Sequence, residues 1–180
     1  ASFFVAVGFG IIVPAIPLFA RSFGVSNAAV GLIISLFALT RFASALFSGK
    51  LVDKFGERTI FAVGLALVAI SVGLCGVAQS YNQLLFFRAA GGLGSSMFSV
   101  AASSVILRSV TDAQRGHAQS VYNGSFLLGA IAGPAIGGAL AAISLRAPFF
   151  VYAIALSISG TVAFLFFTSE HLQAPKKSDG

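Results

Sequence analysis

The sequence predicts an all-α membrane protein, a bundle of six transmembrane helices built from two inverted three-helix repeats. Three observations carry that expectation. Hydrophobic residues make up 57% of the 180-residue chain and charged residues only 9%; apolar runs about one membrane span long follow one another; and short charged or Gly/Pro-marked breaks separate them. A soluble domain of this size covers its core with far more Lys, Glu, Asp and Arg, so the solvent around most of this surface is lipid. Crossing roughly 30 Å of hydrocarbon takes about 20 mostly apolar residues. The runs are continuous rather than alternating in polarity, which excludes a membrane β-barrel.

The first span runs from about Ala1 to Phe19. It lacks the basic start of a secretory signal and carries Pro14 and Pro17 inside an apolar run that leads into further spans. The second extends from about Ala28 to Ser48 and holds Arg41. Gly49 to Arg58 follows, with five ionisable groups in ten residues, and reads as a watery turn between spans. The third span covers about Thr59 to Val77, the fourth about Gln83 to Leu107 with Arg88 near its start, the fifth about Ala118 to Ala142 with Pro134, and the sixth about Pro148 to Thr168. Residues 1–168 thus form one transmembrane domain, with repeats of about 1–79 and 80–168. The polar stretch 169–180 is expected to be a cytoplasmic tail or the start of a linker. A chain that starts with Ala and ends in this stretch reads as a piece of a longer one.

Shifting the chain on itself by 89 residues lays Phe37 on Phe126, Ala43 on Ala132, Gly49 on Gly138, Phe61 on Phe150 and Ala66-Leu67 on Ala155-Leu156. Apolar matches are common by chance. Their weight comes from the shift, which equals three spans, so the second copy enters the membrane upside down, as in transporters with nested inverted repeats.

The net charge of +6 is distributed by loop rather than gathered on one face, which argues against nucleic-acid binding. One side receives Lys50, Lys54, Arg58, Arg108, Arg115, Lys176 and Lys177; the other receives Arg21 and Arg146. The positive-inside rule makes the first side cytoplasmic, with both ends of the chain there and the protein in the plasma (inner) membrane. Arg41 and Arg88 lie within spans, where a charge faces a bundle interior or a watery cavity, or snorkels to the surface. Cys75 is the only cysteine and sits inside the third span, with no disulfide framework or metal-ligand set. No nucleophile–base pair, phosphate loop or ATP motif points to an enzyme, and no cofactor or metal is implied.

Gly49-Lys-Leu-Val-Asp53-Lys54-Phe-Gly56-Glu57-Arg58 resembles the G-x-L-a-D-r-x-G-r-r signature between the second and third helices of the major facilitator superfamily (MFS). The resemblance implies that Gly49 and Asp53 brace this gating loop against the other half of a transporter, with Lys54 and Arg58 as charge partners and Gly56 making a tight turn. Glu57 departs from the pattern, standing where a base is commoner. Arg88-Ala-Ala-Gly-Gly92-Leu-Gly94 resembles the R-x-x-x-G-x-G pattern of the fourth helix. Arg88, Gly92, Ser95 or Ser96, Ser99 and Ser103 recur at three- and four-residue spacing and can share one helix face, either lining a cavity or packing against a neighbouring helix.

In the fifth span, Gly129-Ala-Ile-Ala-Gly133-Pro134-Ala-Ile-Gly137-Gly138 resembles the G-x-x-x-G-P-x-x-G-G signature of drug/proton antiporters in that superfamily. The first span resembles the start of tetracycline-type exporters, except that Val5 stands where an acid is common. The resemblance implies an MFS-type fold and the N-terminal six-helix half of a secondary transporter that exports small amphipathic or hydrophobic compounds by proton antiport. Its expected partners are a small-molecule substrate, protons, the lipid bilayer and a second six-helix half, supplied by the same protein or by a homodimer. Arg88 is the expected coupling residue, and Arg41, Gly92, Ser99 and Asn123 are the other coupling or cavity candidates. Two other readings fit the same spans: an uptake or facilitated-diffusion carrier for a polar solute, and a six-helix scaffold without transport. The export-associated pattern in the fifth span separates the first from the leading reading, and the sequence beyond Gly180 separates the second.

Overall fold

A computed structural model describes residues 2–166 as six α-helices: α1 (Ser2–Arg21), α2 (Asn27–Phe55), α3 (Glu57–Val77), α4 (Tyr81–Ser109), α5 (Arg115–Ile143) and α6 (Ala147–Phe166), with a 3₁₀ turn at Asp112–Gln114 before α5. No strand occurs among the described residues. Four helices, α2 to α5, are long and apolar enough to cross a membrane, and α1 and α6 contribute shorter apolar segments. The end of the sixth span and the stretch 169–180 lie outside the described residues.

The connections explain the helix starts. Ser26 caps α2 by accepting from the Ala29 N–H at 3.3 Å, and Ser80 caps α4 by accepting from the Gln83 N–H at 3.4 Å. The junction of α2 and α3 differs from the expected turn. Gly49 to Phe55 is not a hairpin; it continues α2 to a length of 29 residues, about 43 Å at 1.5 Å per residue. The break is confined to Gly56, whose φ of +82° is the left-handed region that glycine enters without steric cost. The charges of Lys50, Asp53 and Lys54 mark where α2 leaves the apolar layer, not where it stops, because none of these residues breaks a helix.

The helix pairings repeat with inversion. α1 packs along α5 as α4 packs along α2, α4 lies against α3 as α1 lies against α6, and α3 meets α6. Exchanging α1 with α4, α2 with α5 and α3 with α6 maps this pattern onto itself. Buried Phe19, Phe61, Leu65, Phe149 and Leu156 fill the centre.

Helices in lipid gain little from apolar burial alone, so their contacts rely on small residues and close backbone approach. α1 and α5 meet at Gly10, Gly129 and Gly133, where a Cβ on Gly133 would overlap the Gly10 backbone and one on Gly129 would overlap Ala6. α3 and α4 meet through Gly64 and Gly94, and α4 meets the backbone of α2 through Gly92. Gly49 and Gly138 face open space instead. Replacing Gly133 with Ala is therefore expected to cost about 1–3 kcal/mol through overpacking, whereas Gly138→Ala has no such cost. Thermal unfolding of the two variants in detergent checks the contrast.

Candidate functional site

α1, α2 and α4 line an open, groove-like cavity of about 530 Å³. Its walls include Phe9 of α1 and Phe37 and Phe42 of α2, and its polar groups are Arg41 of α2 and Ser96 and Ser99 of α4. A mostly apolar volume of this size with few polar anchors suits a small organic molecule. The Arg41 Nη2 donates to Ser99 Oγ at 3.1 Å, and Ser99 donates to the Ser95 carbonyl at 2.8 Å. A guanidinium at span depth costs a few kcal/mol, and here it faces the cavity, held by a hydroxyl of the opposite wall.

Arg88 of α4 is 5% exposed and does not reach the surface. Its Cζ lies 3.9 Å from the centroid of the Phe37 ring, a desolvated cation–π contact of about 2 kcal/mol. Among the described residues it makes no ion pair. Phe37 thus belongs at once to the cavity wall and to the Arg88 environment. The rest of the serine face joins α4 to α2: Ser96 Oγ lies 2.7 Å from Ser44 Oγ and 2.9 Å from Ser48 Oγ. Gly92 supports the same contact by packing on the backbone of α2 at Phe37 and Arg41. Asn123 stands apart on an exposed face of α5, accepting from Gln119 at 3.3 Å.

A second cluster occupies the charged end of the bundle. Glu57, at the start of α3, is 5% exposed; its Oε1 lies 2.8 Å from Arg108 Nη1 and accepts from Ser104 Oγ at 3.2 Å. Arg108 also approaches Asp53 at 3.7 Å, in a pair open to solvent on both sides. Lys54 lies over the Phe55 ring at 5.3 Å. The carboxylate that departs from the sequence pattern is thus the buried member of an ion pair, and its cation comes from the end of α4. Pro134 and Gly138 are exposed on α5, beside the buried Gly129, Gly133 and Gly137.

Sequence reasoning missed Phe9, Phe37, Ser104 and Arg108. Phe37 had only its match to Phe126 as a signal, and Arg108 only its place among the basic residues of one side. Neither signal pairs a residue with a neighbour on another helix.

A family model described as Major Facilitator Superfamily matches residues 1–180. The quinolone resistance protein NorA of Staphylococcus aureus is 30% identical over 180 residues, covering 98% of this chain and 44% of NorA. Multidrug resistance protein 2 of Bacillus subtilis is 27% identical over 178 residues, with the same coverage of 98% and 44%. The chain thus spans less than half the length of the curated relatives it matches. Among solved structures, the human organic anion transporter MFSD10 (TETRAN) superposes with a TM-score of 0.80 at 21% identity, over 93% of this chain and 45% of that one. A bacterial homologue of the human lysosomal transporter Spinster, inward-facing and occupied, gives 0.72 at 20% identity, over 93% and 41%.

The Glu57–Arg108 pair makes a quantitative prediction. Arg108→Ala leaves a buried carboxylate with only Ser104, while Glu57→Gln removes the charge that needs a partner. A double-mutant cycle on thermal or chemical unfolding is expected to give a coupling of about 1–3 kcal/mol, against about 0–1 kcal/mol for the solvated Asp53–Arg108 pair.

Proposed function

The chain belongs to the Major Facilitator Superfamily, and on that premise we propose that residues 1–168 form the N-terminal six-helix half of a secondary transporter that exports small amphipathic or hydrophobic compounds by proton antiport. The observation that carries this reading is the cavity between α1, α2 and α4, with Phe9, Phe37 and Phe42 for an apolar body and Arg41, Ser96 and Ser99 for a polar end. The names of the relatives, a quinolone resistance protein and a multidrug resistance protein, support export and a chemically tolerant pocket. Aromatic walls suit that tolerance, since they bind apolar surface of varied shape.

Alternating access rocks this half against a second six-helix unit around the cavity. The open space at Gly49 and Gly138 is where that unit approaches, with Asp53 and Lys54 bracing one end. The charged end faces the cytoplasm of a plasma (inner) membrane, by the loop charges. Within the described spans no carboxylate lies near the cavity, so Arg88, tied to the wall through Phe37, is the residue of this half that couples charge to transport.

The test is quinolone accumulation in energised everted vesicles carrying the complete protein. Arg88→Ala and Asp53→Asn are each expected to lower the initial rate at least tenfold with membrane insertion unchanged, and a protonophore is expected to abolish accumulation. Full activity in both variants removes these assignments, and accumulation that ignores the protonophore removes proton coupling.

A further inference from the structure

Tyr152 of α6 is 2% exposed, and its ring lies against Gly8 of α1 so closely that a Cβ there would overlap it. Its hydroxyl makes no hydrogen bond to any described residue, and neither does the side-chain hydroxyl of Ser95. Both residues line a small enclosed pocket of about 20 Å³ in the middle of the bundle, together with Arg41 and Ser99. The remaining lining is apolar and includes Phe98, Phe126 and Leu156.

A pocket holds a water when it offers about 10–15 Å³ or more for the water's centre and two to four polar partners; this one has the volume, and Arg41, Ser95, Ser99 and Tyr152 are on its walls. It is too small for a transported solute. Arg41 can only donate there, Ser95 and Tyr152 can donate or accept, and Ser99 already accepts from Arg41 while donating to the Ser95 carbonyl. A single water that accepts from Arg41 and donates to Ser95 and Tyr152 would join the two hydroxyls to the guanidinium.

We propose that this pocket is a one-water site that ties Tyr152 of α6 and Ser95 of α4 to Arg41 of α2, and that Tyr152 is a positioning residue for the guanidinium in the larger cavity. Arg41 and Ser99 line both spaces, so the water fixes from behind the groups that a substrate meets from the front. The positioning role rests on the transport reading above; the water site does not.

The test is a structure of the complete protein in lipid nanodiscs, at a resolution that shows ordered water, for the parent, Tyr152→Phe and Ser95→Ala. One water peak within hydrogen-bond distance of Tyr152 Oη, Arg41 and Ser95 is expected in the parent, weakened or displaced in both variants. A dry pocket in the parent, or a peak unchanged in Tyr152→Phe, overturns the site. In transport assays Tyr152→Phe is expected to raise KM about three- to tenfold with kcat within about twofold. An unchanged KM, or a fall confined to kcat, overturns the positioning role. A parent without transport defeats the reading of the preceding subsection while the density still decides the water site.

Discussion

Close backbone contact between helices is the constraint on which the rest of this bundle depends. In water, apolar faces would drive the helices together; in lipid that term nearly vanishes, and packing contacts must replace it. The chain meets this need with glycine where two helices run side by side, at Gly10 against Gly129 and Gly133, and at Gly64 against Gly94. Once α1 is seated on α5 and α4 on α2 and α3, the distance between α1, α2 and α4 is set, and with it the cavity. The two inverted repeats solve the same contact differently. Under the shift of 89 residues, Gly129, Gly133 and Gly137 of α5 coincide with Thr40, Ser44 and Ser48 of α2. One seam is a glycine stripe and the other a ladder of hydroxyls, with Ser96 bridging Ser44 and Ser48.

Charge follows from the same frame. The hydroxyl seam belongs to the side of the structure that holds Arg41 and Arg88, and Ser99 there offsets part of the cost of Arg41 within a span. Arg41 reaches Ser99 across the cavity, whereas Arg88 is stacked on Phe37 and covered by the bundle. One guanidinium thus faces the cavity, and the other lies behind its wall at Phe37. At the charged end the logic inverts: Glu57 is buried, and Arg108 and Ser104 satisfy it.

All six helices and their order were legible in the sequence because a span announces itself by apolar length, and the motifs pointed to the family that the full-length match establishes. Helix ends were less legible. Lys50, Asp53 and Lys54 signal water, which surrounds an emerging helix end as well as a turn; only Gly56 in the stretch carries a backbone that stops a helix. Serine spacing on α4 puts Ser99 on one face with Arg88 but does not say which helix that face meets, since a face has a direction only once its neighbour is known. The pairing of Glu57 with Arg108 was illegible for the same reason: half a hundred residues separate them, and the contact exists only because α4 runs on to Ser109.

The central claim is that the face formed by Arg41, Phe37 and Ser99 binds the transported compound. Its most direct test is substrate protection of a cysteine placed at Ala38 or Ala45, both of which line the cavity, in a Cys75→Ser background of the complete protein. Labelling by a membrane-impermeant maleimide is expected to slow severalfold in saturating quinolone at these positions and to stay unchanged at an exposed control, Ser22→Cys. Equal labelling of Ala38→Cys and Ala45→Cys with and without quinolone would contradict the account.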